Sequence, residues 1–168
     1  ASIIEFTLVG IPVIFLLFSI FEMSRGMWMY HTMAAVVREG ARFAAVHGND
    51  CNLTPSNCAT RVRDVAQRIR HFAVGIPPAD ITNVRFATST RTVTCPDLGS
   101  CLGAGSLGDT YWPAAPPGAA SDSGGEAMWG WVEVSADYTF RSAIAMFWPG
   151  AGRGQTFGTF VFPASSRE

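Results

Sequence analysis

The hydrophobic pattern opens with a long helical segment and then shortens its period. From Phe6 to Phe21 there is no charge, and Thr7 and Ser19 are the only polar side chains. Crossing a bilayer takes roughly 20 apolar residues as helix, a length that Ala1–Phe21 reaches with Glu5 as its single acid. After Phe21 the pattern becomes amphipathic. Met23, Met27, Tyr30, Ala34, Val37, Ala41 and Ala44 recur at helical spacing, which places them on one face, with Arg25, Arg38, Glu39 and Arg42 off it. Gly48 follows His47 as a C-cap. The spacing predicts one helix over residues 2–47, about 70 Å long. Its first half is apolar all round and protrudes; its second half docks one face on a domain. Gly10 and Pro12 interrupt the first half. Pro12 cannot donate to the Leu8 carbonyl, so a kink is expected there.

A second helix is predicted from about Pro55 to Ala73, with Thr54 as cap and Pro55 at the first helical position. Val62, Val65, Ala66, Ile69 and Phe72 form its buried stripe, and Arg61, Arg63, Arg68 and Arg70 surround it as a solvated face. Gly75 and Pro77–Pro78 stop it. Three strands follow. Asp80–Arg91 carries Val84 and Phe86 on one side. Met128–Arg141 alternates Val132, Val134, Ala136, Tyr138 and Phe140 with polar residues, and Thr156–Phe162 is rich in Phe. The fold class is therefore α+β, a small antiparallel sheet packed on the long helix. The organisation expected is a hydrophobic helix segment at 1–25, an amphipathic continuation at 26–47 and a head at 48–168. The Gly/Pro/Ala/Ser-rich stretch at about 95–128 is read as an exposed insertion, with Tyr111 and Trp112 as possible exposed binding aromatics.

Composition narrows the function. At 168 residues the chain has room for one modest core beside the helix. The net charge of −1 gives no global pull toward nucleic acid, and none is expected as a partner. All 12 basic side chains are Arg, so Schiff-base and phosphate-loop lysines are excluded. No GxSxG, HExxH or Gly-rich phosphate loop occurs, so no enzyme is indicated and no cofactor is expected. His31, His47 and His71 share no metal spacing, and no metal site is expected. The acidic turns Asn49–Asn52 and Asp122–Glu126 do not follow a calcium-loop pattern.

The 4 cysteines, at 51, 58, 95 and 101, lack the spacing of zinc knuckles. Beside a membrane anchor they favour disulfides in an oxidising compartment. Of the pairings possible, Cys51–Cys58 with Cys95–Cys101 closes the shortest loops at the lowest entropic cost.

Glu5 is the residue that an apolar segment least explains. A carboxylate in hydrocarbon costs about 2.5–3.5 kcal/mol and calls for a partner. The nearest cation in sequence is the α-amine of Ala1, which exists if Ala1 is a processed terminus, as the absence of an initiator Met suggests. A small first residue, Glu5, the aromatic Phe6 and then an apolar run resemble a mature type IV pilin or pseudopilin. With Glu22, Arg25 and the segment REGARFAA (Arg38–Ala45), the first 47 residues or so resemble the TadE-like family of the tight-adherence (Tad/Flp) pilus system. Val132–Phe140 and the terminal SSRE resemble that family's late strand and tail.

The resemblance implies a structural subunit, a minor pilin for assembly, tip or adhesion, that polymerises through its N-terminal helix. A main subunit of a thick filament and a non-polymerising single-pass protein with an external binding domain are the alternatives. It also implies other pilin subunits, an inner-membrane assembly platform and a prepilin peptidase as partners. The subunit would sit in the inner membrane with its head outside before assembly, and in an extracellular pilus afterwards. The positive-inside rule alone would place the Arg25 side in the cytoplasm. A basic leader cut off before Ala1 would reconcile that with external cysteines.

Overall fold

The computed structural model describes residues 2–48, 60–89, 91–103, 105, 107–113, 131–142 and 159–168. Helix α1, Ser2–Gly48, runs unbroken through Gly10 and Pro12. Helix α2 is Val62–Phe72. The strands are β1 (Ile81–Thr88), β2 (Thr92–Asp97), β3 (Val132–Arg141) and β4 (Thr159–Arg167), with the short helix α3 (Leu98–Leu102) after β2. The sheet is antiparallel, in the order β2-β1-β3-β4. The molecule is α+β, and the sheet packs on α1 as its alternation requires.

The strands reach the core through period-2 patterning and one correction to it. On β3, Val134, Ala136, Tyr138 and Phe140 are buried while Ser135, Asp137 and Thr139 are not. On β1, Ile81 and Val84 are both buried although a regular strand would turn them to opposite faces. The pairing with β3 shifts register between Thr82 and Arg85. There Asn83 takes a positive φ of 50°, and its amide donates to Asp137 Oδ2 at 2.9 Å. The bulge supplies the extra residue that returns Val84 to the inner face.

The docked face of α1 is Met33, Val36, Val37, Gly40, Ala41 and Ala44. Met23, Met27 and Tyr30, expected at the start of that stripe, are exposed instead. At that level α1 faces the Arg141–Thr159 end of the β3–β4 hairpin across a groove. Further along, Gly40 lets α2 come close: a Cβ at Gly40 would lie 2.9 Å from Ile69 Cγ1. The glycine of REGARFAA is thus a contact point between the two helices.

Helix α2 starts at Val62. The predicted start at Pro55 lies outside the described residues, as do Cys51 and Cys58. Its first N–H groups are satisfied from a distant segment. Val62 N donates to Thr110 O and Arg63 N to Gly108 O, both at 3.0 Å. The stretch that does this belongs to the region expected to be an exposed insertion. That expectation is corrected for the described residues between Cys95 and Pro113. Thr92–Asp97 is an edge strand, α3 follows it, and Cys95, Leu98, Cys101 and Trp112 are fully buried. Residues 114–130 lie outside the described residues.

Candidate functional site

Two surfaces carry functional potential: the exposed half of α1 and the place where the head meets it. From Ile3 to Phe21 every large apolar side chain is at least half exposed. The hydroxyls within this stretch bond back to the helix. Thr7 Oγ1 donates to the Ile4 carbonyl at 3.0 Å, and Ser19 Oγ to the Phe15 carbonyl at 2.8 Å. They therefore present little unsatisfied polarity to an apolar medium. Glu5 is the exception. It is exposed, and among the described residues no ion-pair partner faces it. Phe6 beside it is exposed as well. Ala1, expected to share its α-amine with Glu5, lies outside the described residues. The helix is long and apolar enough to cross a membrane by length and composition.

At the junction, Glu22 lies 3.8 Å from Arg25 one turn on. The Arg25 guanidinium donates to the Arg141 carbonyl and sits 4.8 Å from the centre of the Phe140 ring. Gly26 faces that ring: a Cβ there would stand 3.8 Å from Phe140 Cζ, an ordinary van der Waals contact. Tyr30 meets Phe162 edge-on at 5.9 Å. Between these contacts lies a groove of about 530 Å³. It is lined mainly by Met23, Gly26, Met27, Phe140, Phe160 and Phe162. The sequence pattern assigned Met23 and Met27 to packing and did not show the groove, because Phe140, Phe160 and Phe162 come from a hairpin more than a hundred residues away.

The remaining predicted residues distribute as follows. Cys95 and Cys101 are joined by a disulfide, with their Cα atoms 5.8 Å apart. Asp97, between them, caps α3 by accepting from Ser100 N and Ser100 Oγ, each at 2.8 Å. The Ser100 hydroxyl and then its N–H hold the Asp97 carboxyl below the usual carboxylate range.

Tyr111 and Trp112 are not a pair of exposed binding aromatics. Trp112 is fully buried, its ring edge-on to Phe86 at 5.2 Å, and its backbone N–H donates to the Thr60 carbonyl at 3.1 Å. Tyr111 is half-buried against Arg61, whose guanidinium donates to its hydroxyl. The pairing of residue 111 with 61 and the capping of α2 by 108–110 draw this segment inward, away from solvent.

The arginines of α2 are less free than a solvated face implies. Arg61 and Arg63 both reach Asp109 Oδ1, at 3.0 and 2.7 Å. The Tyr111 hydroxyl and then Asp109 raise the pKa of Arg61 above its already high ordinary value. Arg68 bonds Glu39 and stands over the rings of Phe43 and Phe72. Arg70 remains exposed. No cluster of metal-ligating side chains occurs among the described residues.

No curated protein matches the chain, and no solved structure does. A family model does match, over the exposed half of α1 and its docked continuation as far as Arg42, stopping short of the sheet. Residues 1–42 match the model of the TadE-like protein family, so over that stretch the chain is similar to TadE-like proteins.

Proposed function

We propose that the chain is a structural subunit of a Tad-type pilus, a minor pilin acting in assembly, at the tip or in adhesion, and not an enzyme. The observation that carries this reading is the exposed apolar half of α1, held out from a folded head and interrupted by one acid at Glu5. Such a surface suits lipid before assembly and neighbouring apolar helices afterwards. Its partners are then other pilin subunits and the inner-membrane assembly platform, with a prepilin peptidase acting at the N-terminal end. The Cys95–Cys101 disulfide supports a head outside the cytoplasm, since such bonds persist in oxidising compartments.

In this mechanism the Glu5 carboxylate attracts the α-amine of its own or a neighbouring helix. The apolar surroundings strengthen that attraction relative to water. The pairing sets the register of an incoming helix against one already docked. Glu5→Gln removes the charge and leaves insertion undiminished, because the costliest group for the membrane has gone. The expected result is fewer or shorter fibres with a normal amount of membrane-bound subunit. Wild-type fibre number and incorporation in the variant would overturn the register mechanism. Counting copies along purified fibres separates a minor pilin from a main subunit, and absence of the chain from fibres would favour a single-pass membrane protein.

A further inference from the structure

We propose that the groove between α1 and the Arg141–Thr159 end of the β3–β4 hairpin is a phospholipid-binding surface that seats the head on the bilayer. Acyl chains occupy the groove, and lipid phosphates lie at its rim near Arg141. The proposal rests on the reading that α1 spans a membrane.

Depth is the first reason. Ile3–Phe21 rises about 28 Å as helix, close to the roughly 30 Å of a hydrocarbon core. With that stretch in lipid, Gly26 stands about 7 Å beyond Phe21, within the interfacial layer of roughly 5–8 Å on each side. The contacts of Gly26 with Phe140 and of Arg25 with the Arg141 carbonyl fix the hairpin end at the same depth.

Chemistry is the second. At this level the head exposes apolar side chains where a soluble surface would be polar: Phe160 is 59% and Val161 57% exposed. On the helix Met23 and Met27, which line the same groove, are exposed as well. Arg141 is 75% exposed, with Asp80 only at 3.8 Å, which leaves its guanidinium open to an anion. Aromatic rings together with arginines form the belt that membrane proteins place at the headgroup level. A groove continuous with a membrane-spanning surface meets lipid first, before any second subunit arrives.

The test uses the full chain in nanodiscs of phosphatidylethanolamine and phosphatidylglycerol, at one chain per disc. Phe160→Trp adds an indole at the groove. Val74→Trp adds one at an exposed position after α2, which packs on α1 around Gly40, far from the hairpin end. Lipids brominated near the headgroup should quench the emission added by Phe160→Trp at least about twofold more than lipids brominated near the acyl end, and should leave that of Val74→Trp unchanged. If Phe160→Trp does not fold, Met27→Trp on the helix side of the same groove gives the same reading.

No quenching of the added indole by either lipid, in discs that hold the chain, overturns the lipid surface alone. A chain that does not enter discs or vesicles overturns the membrane-spanning reading as well. Shielding that develops only when discs carry several chains assigns the groove to a second copy and overturns the lipid proposal.

Discussion

The two halves of α1 belong to one continuous helix, yet one is bare and the other buried on one face. Residues 3–21 carry Ile, Leu, Val and Phe on every side, all exposed. Residues 33–44 carry Met33, Val36, Val37, Ala41 and Ala44 inward, with Gly40 among them, and Arg38 and Arg42 outward. The difference lies in side-chain size and in where the charges fall. A lipid-facing helix gains from bulk all round because its solvent has no fixed shape. A helix that receives another helix needs small residues at the crossing, where backbones approach, and a charged face that marks its wet side. The continuous helix therefore passes from one solvent to another near Glu22–Arg25.

The comparison breaks most sharply if a large aromatic is truncated in each region. Trp112→Ala empties a fully buried site against Phe86 and should destabilise the head by about 3–5 kcal/mol in denaturant unfolding. Phe15→Ala removes a ring that is 61% exposed and should leave head stability within about 0.5 kcal/mol. Equal losses would mean that the protruding half packs on the head.

The next effect comes from the disulfide. Replacing Cys95 and Cys101 together by Ala should cost about 2–4 kcal/mol, through the freedom regained by the unfolded chain and the gap left in the core. It should also free the 108–112 segment, whose close approach to α3 leaves no space for a side chain at Gly108: a Cβ there would lie 2.5 Å from the Cys101 and Gly103 carbonyls. Membrane insertion of residues 3–21 should be unchanged. Vesicle flotation read beside head unfolding checks both parts.

Glycines sharpen the contrast at a smaller scale. Gly40→Val pushes a branched side chain against Ile69 and should cost about 1–3 kcal/mol by overpacking. At Gly10 a Cβ meets nothing nearer than Phe6 Cε1 at 3.9 Å, so Gly10→Val should leave the head unaffected. A loss of head stability in Gly10→Val would show that the two halves are coupled.

Much of this arrangement is legible in the residues, and the exceptions have physical causes. The long helix, the stripe of α2 and the alternation of β3 are strong periodic signals spread over many residues. Strand β2 carries the same period, with Val93 and Cys95 buried between exposed Thr92 and Thr94. The Gly/Pro-rich residues that follow Cys95 obscure that period. Helix α3 spans only Leu98–Leu102, too short for periodicity, and its one local signal is the Asp97 and Ser100 pair. Gly40 could have been found, since glycine inside a helix costs about 1 kcal/mol against alanine and often marks a close approach. The burial of Trp112 and the groove could not, because Phe86, Thr60 and the β3–β4 hairpin reach them from far along the chain. The bulge at Asn83 left no mark beyond an Asn in a strand.

The smallest difference is one of pH. The Asp97 carboxyl is held below its ordinary value of 3.8, chiefly by the Ser100 hydroxyl and then by the Ser100 N–H. A depressed folded pKa means that the ionised form is favoured in the folded head. The stabilisation is complete above the ordinary carboxylate range and fades as the pH falls through the folded value. Losing this cap by Asp97→Ala should cost at most about 1 kcal/mol near neutrality, since the site is open to water and the helix is short. The gap between wild type and variant should narrow as the pH falls through the folded value, because protonation removes the charge-dependent part of the cap. Asp97→Asn keeps an acceptor for the Ser100 N–H, so it should retain most of the stability at neutrality while losing the pH dependence. Head unfolding followed across the acid range gives all three curves. A gap between wild type and Asp97→Ala that is the same at both ends would mean that the side chain acts by packing and not by its charge.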